Sequence, residues 1–321
     1  MASDRSRSPE KRVENLMPPQ RLFDESTLRK LEQLALVAHK VRAGVMKGER
    51  RSTKRGTSIE FADYRDYTRG DDLRRLDWNV YARLERPFIK LLEEEEDLTV
   101  HILIDASQSM DWPLPDPLNP SLVDLRKFDY ARRLGGALAY IGLSSGDRVA
   151  VTLLSGDQAV NRWGPSRSRG QMLPMLRWLE EVSVGGATDL NAALRDYALR
   201  GGRPGLALLL SDMFSPGGYA DGLTALQGRG YEVGIIHLLS PDEVVPELAG
   251  DLRLIDCEIG AAQDVTIDAA MRELYSRRLR QWRDEMASYC LSRDVHYVAV
   301  ETGTPWEKVI LYALRRAGVV K

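Results

Sequence analysis

From Leu98 onward the chain alternates short, uninterrupted apolar runs with amphipathic segments, and few architectures accept that pattern. Leu98–Ile104, Arg148–Leu154, Leu206–Leu210, Tyr231–Leu239 and Val295–Val300 are strand-sized runs without polar alternation. Strands of this kind are covered on both faces, which is the signature of a mostly parallel sheet. Between them, Phe128–Leu143, Gln171–Val182, Leu190–Leu199, Tyr219–Gln227, Ala269–Leu291 and Pro305–Arg316 read as helices, and Ala159–Trp163 as one arm of an edge hairpin. The fold class expected is α/β, a doubly wound, Rossmann-like sheet over residues 98–321. Ligands of such sheets sit beyond the carboxyl ends of the strands, so polar residues that follow strands carry the functional question.

The first part of the chain has a different texture. Residues 1–20 are polar, contain Pro9, Pro18 and Pro19, and read as a disordered leader. Residues 21–97 read as a small annex. Leu28, Leu31, Leu34, Ala35, Ala38, Val41 and Val45 give residues 24–46 a helical period. Aromatic and charged residues mix from Ile59 to Leu92, as in short strands and turns. The near balance of 45 Lys+Arg against 47 Asp+Glu conceals local extremes: seven basic residues against one acid in 40–55, and five consecutive acids from Glu93 to Asp97. The N-terminus lacks the apolar stretch of a signal peptide and no run reaches membrane-spanning length, so a cytoplasmic setting is expected.

Only two cysteines and four scattered histidines are present, which excludes a disulfide framework and any zinc spacing. A bound metal would have to be a hard cation held by oxygen. Three strand ends offer it. Asp105, Ser107 and Ser109 alternate directly after Leu98–Ile104, Thr188 precedes the helix at Leu190, and Asp212 follows Leu206–Leu210. Two carboxylates and three hydroxyls from separate loops suit Mg²⁺, with Mn²⁺ or Ca²⁺ as alternatives. Strand-end Asp and Ser also cap helices, which is the simpler use of each residue taken singly.

At these residues the chain resembles the von Willebrand factor type A fold with its metal-ion-dependent adhesion site, whose pattern is Asp-x-Ser-x-Ser, then Thr, then Asp. The resemblance implies that Ser107, Ser109 and Thr188 contact the metal directly or through water. Asp105 and Asp212 would act through water and hydrogen bonds. It also implies an open coordination position that takes a carboxylate from a partner protein.

A second stretch, Glu60 to Trp78 with Ala82-Arg83 and Ile89-Lys90, resembles the signature of the bacterial domain-of-unknown-function family number fifty-eight. That resemblance implies a partnership with MoxR-type AAA+ ATPases, acting on the ATPase or its client in chaperone-like assembly or metal insertion. Many members carry N-terminal membrane helices, and none is visible here. Within the stretch, Arg65, Arg69, Arg74, Arg75 and Arg83 alternate with Asp63, Asp66, Asp71, Asp72 and Asp77, which reads as a paired charge network, with Gly70-Asp71 a tight turn and Trp78 a core anchor.

Other signals are weaker. Gly142-Leu143-Ser144-Ser145-Gly146 matches a hydrolase nucleophile elbow in letters, but there a strand leads into a helix, and here a helix leads into a strand. No phosphate-binding P-loop is present. His101 and His237 lie in apolar strands and read as buried, hydrogen-bonded rings. Trp112, Pro113, Pro115, Pro117 and Pro120 delay the helix after the metal loop. The sequence therefore favours a non-enzymatic, metal-dependent protein-binding module. A metal-dependent phosphoester hydrolase and nucleic-acid binding through 40–55 are the alternatives.

Overall fold

The computed structural model describes residues 22–36, 59–68, 76–94, 98–114, 125–258 and 260–321. The leader, the basic 40–55 segment, Gly70-Asp71 and Pro115–Pro120 lie outside the described residues. Helix α1 (Glu25–Leu31) is followed by strand β1 (Ile59–Asp66), helix α2 (Trp78–Leu84) and strand β2 (Phe88–Glu94). The main domain then runs β3 (Thr99–Asp105), α3 (Lys127–Ser144), β4 (Arg148–Ser155), β5 (Gln158–Ser166), α4 (Met172–Glu181), α5 (Leu190–Arg200), β6 (Leu206–Ser211), α6 (Ala220–Gly228) and β7 (Glu232–Leu239). It closes with α7 (Pro241–Val244), β8 (Gly250–Ile255), β9 (Ala262–Ile267), α8 (Ala269–Ser292), β10 (His296–Glu301) and α9 (Trp306–Lys308), which continues as wider π-type turns over Val309–Leu314.

Six strands form the central sheet in the order β10-β7-β6-β3-β4-β5, all parallel except the edge strand β5. The order follows from the winding. Its first strand, β3, lies between its second, β4, and its fourth, β6, so the winding reverses direction at the β3–β6 gap. In a doubly wound sheet that gap is the topological switch point, where a crevice opens beyond the strand ends.

Each central strand feeds two cores, as its two-residue side-chain period requires. Val100, Ile102 and Ile104 of β3 and Leu206, Leu208 and Leu210 of β6 pack with α3 and α4 on one face. Leu103, Ala207 and Leu209 pack with α5, α6 and α8 on the other. Helix α3 sits close to the sheet because glycines face it: a Cβ on Gly142 would lie 2.8 Å from Val149 Cγ2. This glycine of the elbow-like letters thus has a packing role, and Ser144 ends α3, as a helix-to-strand connection requires.

Two local expectations are corrected. The helix read over 24–46 stops at Leu31, and Leu36 is buried in an antiparallel bridge with Val320, so pairing with the C-terminus draws the chain out of helix. Trp78 is 64% exposed; it opens α2 and stacks edge-on against Tyr81 rather than anchoring a core. Asp77 also caps α2, its carboxylate accepting the Asn79 and Val80 N–H groups, while Arg69, Asp71, Asp72, Arg74 and Arg75 of the expected charge network lie outside the described residues.

The two strand histidines are buried and share one solution. His101 Nε2–H donates to the Arg203 carbonyl (3.0 Å) while Nδ1 accepts from the Tyr197 hydroxyl (2.7 Å). His237 does the same with the Asp212 carbonyl (3.1 Å) and the Tyr297 hydroxyl (2.7 Å). Burial pushes His101 down to about 4 from 6.5. The unfolded chain therefore binds this proton first as pH falls, so the stability His101 contributes is complete above pH 6.5 and is lost between about 6.5 and 4. In urea titrations across that window His101→Gln should flatten the pH dependence of unfolding by up to one proton, about 1.4 kcal/mol per pH unit. An unchanged slope would refute the neutral buried ring.

Candidate functional site

The switch point brings the strand-end polar residues into one locality. Asp105 ends β3 and is buried; its Oδ1 accepts the Ser107 N–H (3.0 Å) and its Oδ2 accepts the Ser211 hydroxyl (2.6 Å) from the end of β6. The turn after β3 is stapled to the loop before α5: Gln108 N–H donates to the Gly186 carbonyl (2.7 Å) and Gly185 N–H to that of Ala106 (2.9 Å). Gly186 has a φ of +78°, which a side chain would strain. Thr188, in a bridge with Gly156, is placed by the same loop, and Asp189 next to it caps α5.

The Ser107 and Ser109 hydroxyl oxygens stand 2.9 Å apart. Adjacent oxygens around an octahedral Mg²⁺ at about 2.1 Å are separated by about 3 Å, so this spacing suits two ligands of one ion. Thr188 Oγ1 is buried and finds no hydrogen-bond partner among the described residues. A buried orphan hydroxyl costs about 1–3 kcal/mol, and a cation is one means of satisfying it.

Sequence reasoning missed the electrostatic centre. Lys127, the first residue of α3, is fully buried, with Nζ 2.7 Å from Asp212 Oδ2 and 2.5 Å from Glu243 Oε1. Burial pulls its ammonium down, but the two carboxylates outweigh that and hold it above its ordinary value. Glu243 belongs to α7, where its other oxygen accepts the Ser240 N–H in a capping box. Asp212 Oδ1 accepts the Phe214 N–H (3.0 Å), and Met213 between them takes a left-handed φ of 60°, steadied by its N–H bond to Ser211 Oγ (2.9 Å). The sequence around Lys127, with Arg126 and Asp129 beside it, gave no sign of its burial, because its partners lie 85 and 116 residues away.

Burial, and then the charge of Asp212, push the Asp105 carboxyl up to about 6. Asp212 and Glu243 share the one ammonium of Lys127, and Asp105, with no ammonium of its own among its partners in the described residues, lies within electrostatic reach of Asp212. Such a gathering of carboxylates around one ammonium suits an added cation. Among the described residues no three His, Cys, Asp or Glu side chains gather as a metal cluster, so such a cation would rest on hydroxyls as much as on carboxylates. The donor set of Ser107, Ser109, Thr188, Asp105 and Asp212 fits a hard, partly hydrated ion.

The family model "Protein of unknown function DUF58" matches residues 63–285, more than half of the sequence. The chain belongs to this family. It is similar to the uncharacterized proteins Rv1480 of Mycobacterium tuberculosis and Mb1516 of Mycobacterium bovis, each 27% identical over 296 residues and 90% of both chains. Among solved structures it is similar to the conserved hypothetical protein BatB from Bacteroides thetaiotaomicron, with TM-score 0.38 and 14% identity over 68% of this chain and 98% of that one. An aerotolerance-related membrane protein from Bacteroides fragilis gives TM-score 0.37 and 17% identity over 69% and 98%. No helix among the described residues of this DUF58 chain is long and apolar enough to cross a membrane.

Removing the ammonium should expose how much of the site depends on it. Lys127→Met leaves Asp212 and Glu243 buried without their counter-charge and should lower stability by about 3–5 kcal/mol in urea unfolding. Adding Glu243→Gln should restore part of that loss. A single variant as stable as the parent would show that the buried ammonium is not what balances the site.

Proposed function

We propose that the chain is a protein-binding module that uses a divalent cation, Mg²⁺ by preference, at the β3–β6 switch point. The buried, unpartnered hydroxyl of Thr188, in the loop stapled to the turn after Asp105, carries this reading. Ser107, Ser109 and Thr188 would hold the ion, and Asp105 and Asp212 would fix its hydration and neutralise it. A bound cation supplies a Lewis-acidic position that takes a carboxylate oxygen from outside. The hydroxyl ligands are neutral, so they leave the ion's charge available to that carboxylate. The resemblance to the von Willebrand factor type A adhesion site supports this use, and the family resemblance supplies the partner: a MoxR-type AAA+ ATPase or its client, met through an acidic residue.

Among the described residues, the histidine beside the site does not serve the hydrolytic alternative as a general base. His237, packed beside Asp212, has both ring nitrogens engaged and is pushed down to about 4, mainly by burial. The basic 40–55 segment, on which the nucleic-acid alternative depends, lies outside the described residues.

Thr188→Val separates ligation from mere structure. It removes an orphan hydroxyl, so without divalent cation its urea midpoint should equal or exceed the parent's. With Mg²⁺ at one hundred times Kd the parent should gain about 2.7 kcal/mol, and the variant should gain much less. Capture of a purified MoxR-type ATPase should require Mg²⁺, stop in EDTA, and weaken at least tenfold in Thr188→Val. Equal capture with EDTA present would sink the proposal.

A further inference from the structure

Strands β8 and β9 form a two-stranded antiparallel hairpin separate from the central sheet. It is largely solvent-exposed, with Leu254 and Ile255 open on its surface. A lone hairpin is marginally stable in water, so its position needs an anchor elsewhere. Its tip is a defined turn: Asp256 N–H donates to the Ala261 carbonyl (2.8 Å), Gly260 N–H to that of Asp256 (2.9 Å), and Glu258 N–H to Asp256 Oδ1 (2.8 Å). That turn delivers Glu258 to the metal loop. Its carboxylate receives hydrogen bonds from the hydroxyl and the backbone N–H of Ser109 and lies within electrostatic reach of Asp212.

The contact is unusual in its charge. A further carboxylate has been brought to a locality where Asp212 and Glu243 already share the one ammonium of Lys127 and Asp105 lies within electrostatic reach of Asp212. A mere surface contact would place it elsewhere, because like charges repel most where water is scarce. A cation between them turns the repulsion into attraction. The orphan Thr188 hydroxyl of the adjoining loop is an independent sign that a ligand belongs at this place.

We propose that Glu258 is an in-chain carboxylate ligand of the cation, so that the β8–β9 hairpin closes the coordination position that a partner's acidic residue must take. The inference rests on the metal-dependent reading above and gives its regulation: docking exchanges one carboxylate for another, with no covalent step. The resting protein is thereby kept from capturing arbitrary acidic surfaces. The hairpin, exposed and weakly held, is the element that moves away.

The test uses the full chain and Mn²⁺ alone as probe. Calorimetric titration gives the affinity, and water-proton relaxation of the bound ion reports how many exchangeable waters it keeps. Glu258→Gln preserves size and lies on an exposed turn, so folding is not at stake. It should raise Kd for Mn²⁺ by about tenfold and add about one fast-exchanging water. Affinity or hydration equal to the parent's, while Thr188→Val has lost Mn²⁺ binding, overturns the role of Glu258 and leaves the metal site standing. A parent that binds no Mn²⁺, or binds it as well after Thr188→Val, overturns the metal reading and this inference together.

Discussion

The buried pairing of Lys127 with Asp212 is the constraint around which this domain is arranged. An ammonium with no exposure is tolerated only if carboxylates meet it at close range, and both come from far along the chain. Asp212 can reach it because β6 lies beside β3, and Glu243 because α7 turns back directly after β7. The contact therefore ties the start of α3 to the ends of β6 and β7. It also shapes the charge of the crevice, since one ammonium is shared between two carboxylates with Asp105 close to one of them.

The sheet was legible because its strands bury both faces. Continuous apolar runs such as Leu206–Leu210 and Tyr231–Leu239 leave little choice of structure, and β6 and β7 lie within a residue of those bounds. The strand-end residues Asp105 and Asp212 were legible for a related reason: a carboxylate that closes such a run must be used by something. Lys127 was not, because a single lysine before Phe128 has the same letters whether it is solvated or buried. Its state depends on which acids the topology brings opposite, and that is a property of the sheet order.

Elements held by few contacts were the hardest to read. The β8–β9 hairpin has a faint alternation in Leu252-Arg253-Leu254 and Val265-Thr266-Ile267, but neither arm is buried enough to impose a strong apolar period. Trp78 misled in the opposite direction. Its size favours a core, whereas the position it occupies is the first turn of α2, where the Asp77 cap and the Tyr81 stack leave it facing solvent.

These two kinds of element divide the work of the crevice. The parts proposed to hold the ion are fixed in place: the Asp105 hydrogen bonds are buried, and the loops at 106–108 and 185–186 are stapled to each other through their backbones. The part proposed to yield is a hairpin with most of its surface in water, whose Glu258 meets the crevice at Ser109. In the proposed exchange, a rigid donor set with an exposed cover would give selectivity without a large conformational change. An incoming carboxylate would have only to outcompete the side chain of Glu258, carried on a strand pair that is marginally stable by itself.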